Sequence, residues 1–115
     1  MKTSFWSRLD QLIESSEIVI DKPKGTRHPK YPDVIFPLDY GYLKDTCGGE
    51  GEEVDVWVGT AGRRLLTAIA CTVDMKERDA EIKLLIGCTD EEIAIIEDCH
   101  NSMHQSAISI RRDSH

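Results

Sequence analysis

Residues 54–58 read Val-Asp-Val-Trp-Val. The strict alternation puts the three valines on one side of an extended chain and Asp55 with Trp57 on the other, the period of a strand with one apolar face. Asp55 is the odd residue, because a carboxylate inside a β-branched strand is disfavoured unless it meets a partner. Just before it stand Gly48-Gly49-Glu50-Gly51-Glu52-Glu53, so the carboxylates of Glu50, Glu52, Glu53 and Asp55 fall within six positions, beside three glycines. Like charges this close repel one another unless water screens them or a cation joins them. The plainer alternative is a solvated acidic turn leading into a strand.

Downstream, Leu65 to Val73 and Ile82 to Ile86 read as two further strands, joined by the polar turn Asp74-Met75-Lys76-Glu77-Arg78-Asp79. Asp74 and Asp79 thus bracket a hairpin turn. Where that turn and the acidic turn open on the same end of the fold, their carboxylates converge. Oxygen-only ligands of this kind suit Mg2+, Mn2+ or Ca2+ rather than zinc. Thr89-Asp90-Glu91-Glu92 is a capping box opening a helix that runs to about Cys99. A last strand, Ala107 to Ile110, precedes Arg111-Arg112.

Upstream, Tyr40 to Leu43 reads as a brief strand. Residues 23–37 hold all four prolines and Gly25, which excludes a helix interior or a central strand. Glu17 to Asp21 is a short strand-like run. Phe5, Trp6, Leu9, Leu12 and Ile13 mark an amphipathic helix over Ser4 to Ser15, capped by Thr3 or Ser4. The order is helix, several short strands, helix, strand, without strict βα alternation. It predicts an α+β, mainly β domain over residues 1–115: a small OB-like barrel or curled antiparallel sheet flanked by an N-terminal and a C-terminal helix.

At 115 residues the chain suits a single domain, and 40% hydrophobic with 30% charged residues is an ordinary globular mixture. Fourteen Lys and Arg against 21 Asp and Glu give a net charge of −7, which argues against nucleic acid as a partner. The 6% of aromatic residues argues against base stacking as well. No apolar run reaches the ~20 residues of a membrane span, and the first residues carry no apolar signal block, so a cytoplasmic location is expected. Cys47, Cys71, Cys88 and Cys99 form no C-x-x-C pair and carry no metal spacing; Cys71 and Cys88 read as small buried hydrophobes.

The stretch Ile20 to Pro32 is locally basic within this acidic chain and stiffened by proline. A cation cluster opposite a carboxylate cluster is what a phosphorylated, metal-chelated substrate requires.

Taken in order, Ile20-Asp21-Lys22-Pro23, Lys30-Tyr31, Phe36-Pro37-Leu38-Asp39-Tyr40-Gly41-Tyr42-Leu43, Thr46 and Glu50-Gly51-Glu52-Glu53-Val54-Asp55-Val56 resemble the soluble inorganic pyrophosphatases of the Mg2+-dependent, small β-barrel type. The likeness runs from about Ile18 to Ile86 and makes the chain look like a short, divergent member. It implies hydrolysis of pyrophosphate to two phosphates by a water activated between divalent metal ions, with Mg2+ as cofactor. Asp55 is then the metal ligand shared between ions, joined by Glu50, Asp74 and Asp79. Glu52 stands at the general base, and Tyr40 lines the site. Lys30 holds a phosphate, Lys83 lies near a further phosphate-binding position, offset by two, and Asp21 falls on the cavity wall. The family also implies a homo-oligomer.

The chain departs from the family pattern at three places. Glu50 and Glu52 replace the usual Asp; the segment carrying a substrate-binding Arg is missing between Tyr31 and Phe36; and the Tyr-Lys pair of the C-terminal helix has no counterpart in Glu91 to Gln105. Arg63, Arg64, Arg111 and Arg112 are candidate replacement cations, with plain surface charge as the alternative. The departures keep two other functions in view: a catalytically impaired module that binds metal-chelated phosphate compounds, and a phosphohydrolase acting on a nucleotide. Of the histidines, His28 sits in the basic loop, whereas His100 and His104 read as a helix end and a loop rather than a metal pair.

Overall fold

Two helices and six strands follow one another in a computed structural model that describes residues 4–61 and 64–112, the side chain of Glu50 excepted. They are α1 (Phe5–Glu14), β1 (Ile18–Lys22), β2 (Asp39–Leu43), β3 (Val54–Val58), β4 (Leu66–Asp74), β5 (Asp79–Ile86), α2 (Asp90–Asn101) and β6 (Gln105–Arg111), with a 3-10 turn over Gly49–Gly51 ahead of β3. The strands form one sheet in the order β1-β2-β3-β5-β4-β6. Every neighbouring pair is antiparallel except β3 and β5, which run parallel and place Trp57 beside Leu85. The fold is therefore mixed α+β and mostly sheet. It is an open sheet with β1 and β6 as its outer strands, and among the described residues no ladder joins them to close a barrel.

Sequence dictates each element locally. Ser4 caps α1 by accepting from the Ser7 backbone N–H at 3.0 Å. Thr89 and Glu92 close the capping box that starts α2. Glu92 also accepts from the backbone and hydroxyl of Thr60, tying α2 to the turn after β3. In the sheet, the alternation at Val54–Val58 sends Val56 into one apolar layer and Trp57 into the other.

The first layer lies under α1, where Ile13, Leu43, Val56, Leu66, Ile69, Leu84 and Ile86 pack with Leu9 and Leu12. The second lies under α2 and the proline-rich segment, and joins Trp57, Leu85, Ile93 and Ile96 to Phe36 and Leu38. Helix α1 covers only part of its side of the sheet. Val73, Ile82, Ile108 and Ile110 stay exposed there, beside an apolar groove of about 710 Å³ along Phe5, Leu9 and Leu12.

The proline-rich segment is ordered without being a strand. Gly25 and Phe36, Thr26 and Phe36, and His28 and Val34 exchange backbone hydrogen bonds of 2.8–2.9 Å around an Arg27–Ile35 bridge. The edge strand β6 is blunted by α2: Asn101 bonds both the N–H and the C=O of Ala107, and Glu97 accepts from the N–H of Ser109. These side chains occupy backbone groups that a free edge would offer to another strand.

Candidate functional site

Strand register builds the site. Cross-strand partners point to the same face of a sheet, so the pairs Lys22–Tyr40, Tyr40–Trp57, Asp74–Asp79 and Asp74–Gln105, with Asp55, Glu81 and Lys83 at two-residue steps, all share the side facing α2. They line a cleft of about 520 Å³ walled by the proline-rich segment, the β4–β5 turn and the end of α2. The larger groove beside α1 has mostly apolar walls and lacks convergent polar groups; the smaller, polar cleft is the candidate site.

Most of the expected residues meet there. Tyr40, Glu52, Asp55, Asp74, Asp79, Lys30 and Lys83 all line the cleft. Glu50 lies outside the described side chains. Asp21 is not on the cleft wall. The β1–β2 register slips between Ile20 and Lys22, a bulge that leaves Asp21 without a partner and turns Lys22 toward Tyr40 instead. Asp21 faces solvent and pairs with Lys22 at 3.1 Å.

The arginines also fall elsewhere. Arg111 pairs with Asp90 at 2.9 Å, and Arg112 grips Asp10 with two bonds of 2.7 and 2.8 Å. Neither lines the cleft, and nor does the exposed Arg64; Arg63 lies outside the described residues.

The centre of the cleft is an ion cluster. Lys83, only 4% exposed, donates to Asp55 Oδ2 at 2.8 Å, Glu81 Oε2 at 3.2 Å and the Tyr40 hydroxyl at 3.1 Å. An ammonium has three protons to give, and all three are taken. Burial disfavours its charge, but Tyr40, Asp55 and Glu81 outweigh that, and the net shift of the Lys83 pKa is upward. Burial likewise drives the Tyr40 pKa upward, with the nearby Asp55 adding to it, so the Tyr40 hydroxyl stays protonated beside Asp55.

Asp74 is fixed by its own turn. Its Oδ1 accepts from the backbone N–H of Lys76 at 2.9 Å and of Glu77 at 3.0 Å, and Gln105 stands opposite it on β6. The Glu77 bond is the largest of the effects that hold its pKa below the usual value, so the group is an anion at neutral pH.

On the opposite wall, His28 Nδ1 accepts from the backbone N–H groups of Lys30 and Tyr31, at 3.0 and 3.2 Å, while its ring stacks on Phe36 with centroids 5.5 Å apart. Burial, then Lys22 and Lys30, keep the His28 pKa low. A neutral His28 therefore shapes the turn that presents Lys30. Thr46 does the same for the acidic stretch, donating to the Leu43 carbonyl at 2.6 Å and accepting from the Val54 N–H at 3.0 Å.

Three contributors escaped the sequence reading: Glu81 reaches the cleft through strand period, and the buried His100 with Gln105 closes its floor. Lys22, part of the basic stretch, is brought there by the bulge. The two-residue spacing from Glu81 to Lys83 was the available signal for the first; nothing local marks His100 or Gln105.

The donor set is oxygen-rich, the chemistry of Mg2+. Among the described residues, no three Asp, Glu, His or Cys side chains stand close enough to cage an ion. Mg2+ is commonly held by one or two carboxylates together with waters and substrate phosphates. Asp55, Asp74 and Asp79 line the cleft singly, and an ion that arrives with a phosphate ligand needs no ready-made cage.

Comparison of the chain with protein families, curated proteins and solved structures finds no match in any of the three.

Proposed function

We propose that the protein hydrolyses inorganic pyrophosphate, bound as its Mg2+ complex, as a short divergent relative of the small-barrel pyrophosphatases whose sheet is left open. One observation carries the reading: Asp55, Asp74, Asp79 and Glu52, drawn from three separate segments, line one cleft whose wall also presents Lys22 and Lys30. Carboxylates that like-charge repulsion would separate are gathered here opposite cations, the distribution a metal-chelated polyanion neutralises on both sides.

In this reading Asp55, Asp74 and Asp79 would hold Mg2+, which would supply a lowered water pKa, from 15.7 toward about 7. Glu52 takes the proton of the attacking water. Lys30 and Lys22 bind the phosphate oxygens and absorb charge on the leaving group. Tyr40 lines the site beside Asp55, and Lys83, bonded to both, fixes Asp55 from behind rather than reaching substrate, since its protons are engaged. The exposed apolar rows of Val73, Ile82, Ile108 and Ile110 support self-association of the protein.

The test measures phosphate release from pyrophosphate, ATP and a phosphomonoester, with and without Mg2+, for the protein and for Asp55→Asn. Mg2+-dependent release from pyrophosphate that the substitution abolishes is the expected result. Mg2+-dependent pyrophosphate binding without release supports the impaired binding module instead, and preferential release from ATP the nucleotide phosphohydrolase.

A further inference from the structure

We propose that the Lys83 ammonium is a resident cation of the cleft, occupying among Asp55, Glu81 and Tyr40 a place that a divalent ion would otherwise fill. The inference rests on the metal–phosphate reading of the cleft and deepens its metal requirement.

Three features carry it. The ammonium is buried, with 5% of its side chain exposed, whereas its partners Asp55 and Glu81 keep 30% and 21% of theirs. The charge thus sits behind the carboxylates, away from solvent, and not at a rim where a substrate-binding lysine would stand. Its coordination is complete: three protons meet three oxygens at 2.8–3.2 Å. Finally, Asp55 and Glu81 converge on it from two strands joined in parallel, an approach of like charges that needs a positive charge between them.

A lysine built into the fold differs from a metal in one respect. It cannot be lost by chelation or dilution, so one side of Asp55 is neutralised permanently. The oxygens Asp55 still offers to the open cleft are then few, and the cleft takes its Mg2+ with the substrate instead of storing it beforehand. This agrees with the lack of a ready-made three-carboxylate cage among the described residues.

The test reads metal binding and the ammonium itself, not turnover, so it stands or falls separately from pyrophosphate hydrolysis. Lys83→Met keeps the unbranched apolar stem as far as Cε and removes the charged ammonium. Titrated with Mn2+ and followed by electron paramagnetic resonance, the variant is expected to bind one more ion per chain than the unsubstituted protein. The added ion is expected to vanish in Lys83→Met combined with Asp55→Asn. A folded Lys83→Met with unchanged Mn2+ stoichiometry overturns the proposal.

A second measurement needs no substitution and covers a variant that fails to fold. In protein labelled with 15N-lysine, a buried ammonium with three hydrogen bonds gives a slowly exchanging NH3+ resonance at neutral pH, expected to persist under saturating Mg2+ and pyrophosphate. Absence of that resonance, or its loss when Mg2+ is added, overturns the proposal equally.

Discussion

Trp57 donates its indole N–H to Nε2 of His100 across 3.1 Å, from the middle of β3 to the last turn of α2. His100 Nδ1 is left to donate to Gln105 Oε1 at 2.8 Å, and Gln105 stands opposite Asp74 across the β4–β6 ladder. Two hydrogen bonds in line thus run from an indole in the core to the cross-strand neighbour of a cleft carboxylate. They require a neutral imidazole, since Nε2 must accept.

The first prediction follows from that requirement. Burial, then Lys83, depress the His100 pKa from 6.5 to about 4, against weaker opposition from Gln105 and Asp55. Between those two values the unfolded chain binds the proton and the folded one does not, so stability falls as pH drops through the window. At ~1.4 kcal/mol per pKa unit the loss is roughly 3 kcal/mol. Urea unfolding at a series of pH values is expected to show it, and to show a flatter profile for His100→Gln. Glu92, lowered from 4.5, begins to add to the loss at the acid end of the same window and Asp74 below it, while His28, likewise held low, adds to the slope beside His100. An identical slope in the variant would exclude His100 as the source.

Gly41 supplies the second. A Cβ placed there would lie 1.8 Å from the carbonyl oxygen of Val19, a contact that only backbone movement relieves. Overpacking of well-packed sites costs about 1–3 kcal/mol, and rigid backbone puts Gly41→Ala at the upper end or beyond. The melting temperature is expected to fall by several degrees. The β1 bulge that turns Lys22 into the cleft is expected to shift with it, seen as weaker pyrophosphate binding by calorimetry.

The third concerns the chain end. Arg112 and Asp10 form a two-bond pair, with 26% and 31% of the side chains exposed, that fastens the end of β6 to α1. Exposed pairs are worth about 0.2–1 kcal/mol, and the doubled geometry places this one near the top of that range. A double-mutant cycle of Arg112→Ala and Asp10→Ala, read by chemical unfolding, is expected to give a coupling of about 1 kcal/mol. That coupling is expected to shrink at high salt.

The fourth separates the lysines. Lys30 stands on the wall of the cleft on a turn shaped by His28, while the protons of Lys83 are engaged. Lys30→Ala is expected to raise KM for pyrophosphate by roughly tenfold or more, the loss of a charged hydrogen bond of ~1.5–3 kcal/mol, with kcat less affected. A change confined to kcat would move Lys30 from binding to the chemical step.

What could be read from the sequence was what short-range physics decides. The capping box at Thr89–Glu92, the opposed faces of Val56 and Trp57 and the hairpin bracketed by Asp74 and Asp79 each depend on residues within one turn or one strand. Period-two alternation tells which face a residue takes, but not which strand lies beside it. The parallel pairing of β3 with β5 is of that second kind, and with it the Lys83–Asp55 contact, 28 residues apart. Asp21 was misplaced by a single extra residue in β1, since a one-residue slip reverses every side chain beyond it. His100 was hidden for another reason: its partner Trp57 lies 43 residues away, and the same composition would suit an exposed helix end.

The parallel seam between β3 and β5 also sets when the cleft comes into being. On its amino-terminal side, β1 to β3 form a meander from neighbours in sequence, bearing Tyr40 and Asp55; on the other, β4 to β6 contribute Glu81, Lys83 and Asp74. Contacts far apart along the chain form late, because loop closure must precede them. A nascent chain that has emerged only as far as β3 carries half a site and no ammonium to calm it. In the proposed reading, a polyanion would find its complete cleft only once Lys83 has been made and the two halves have docked.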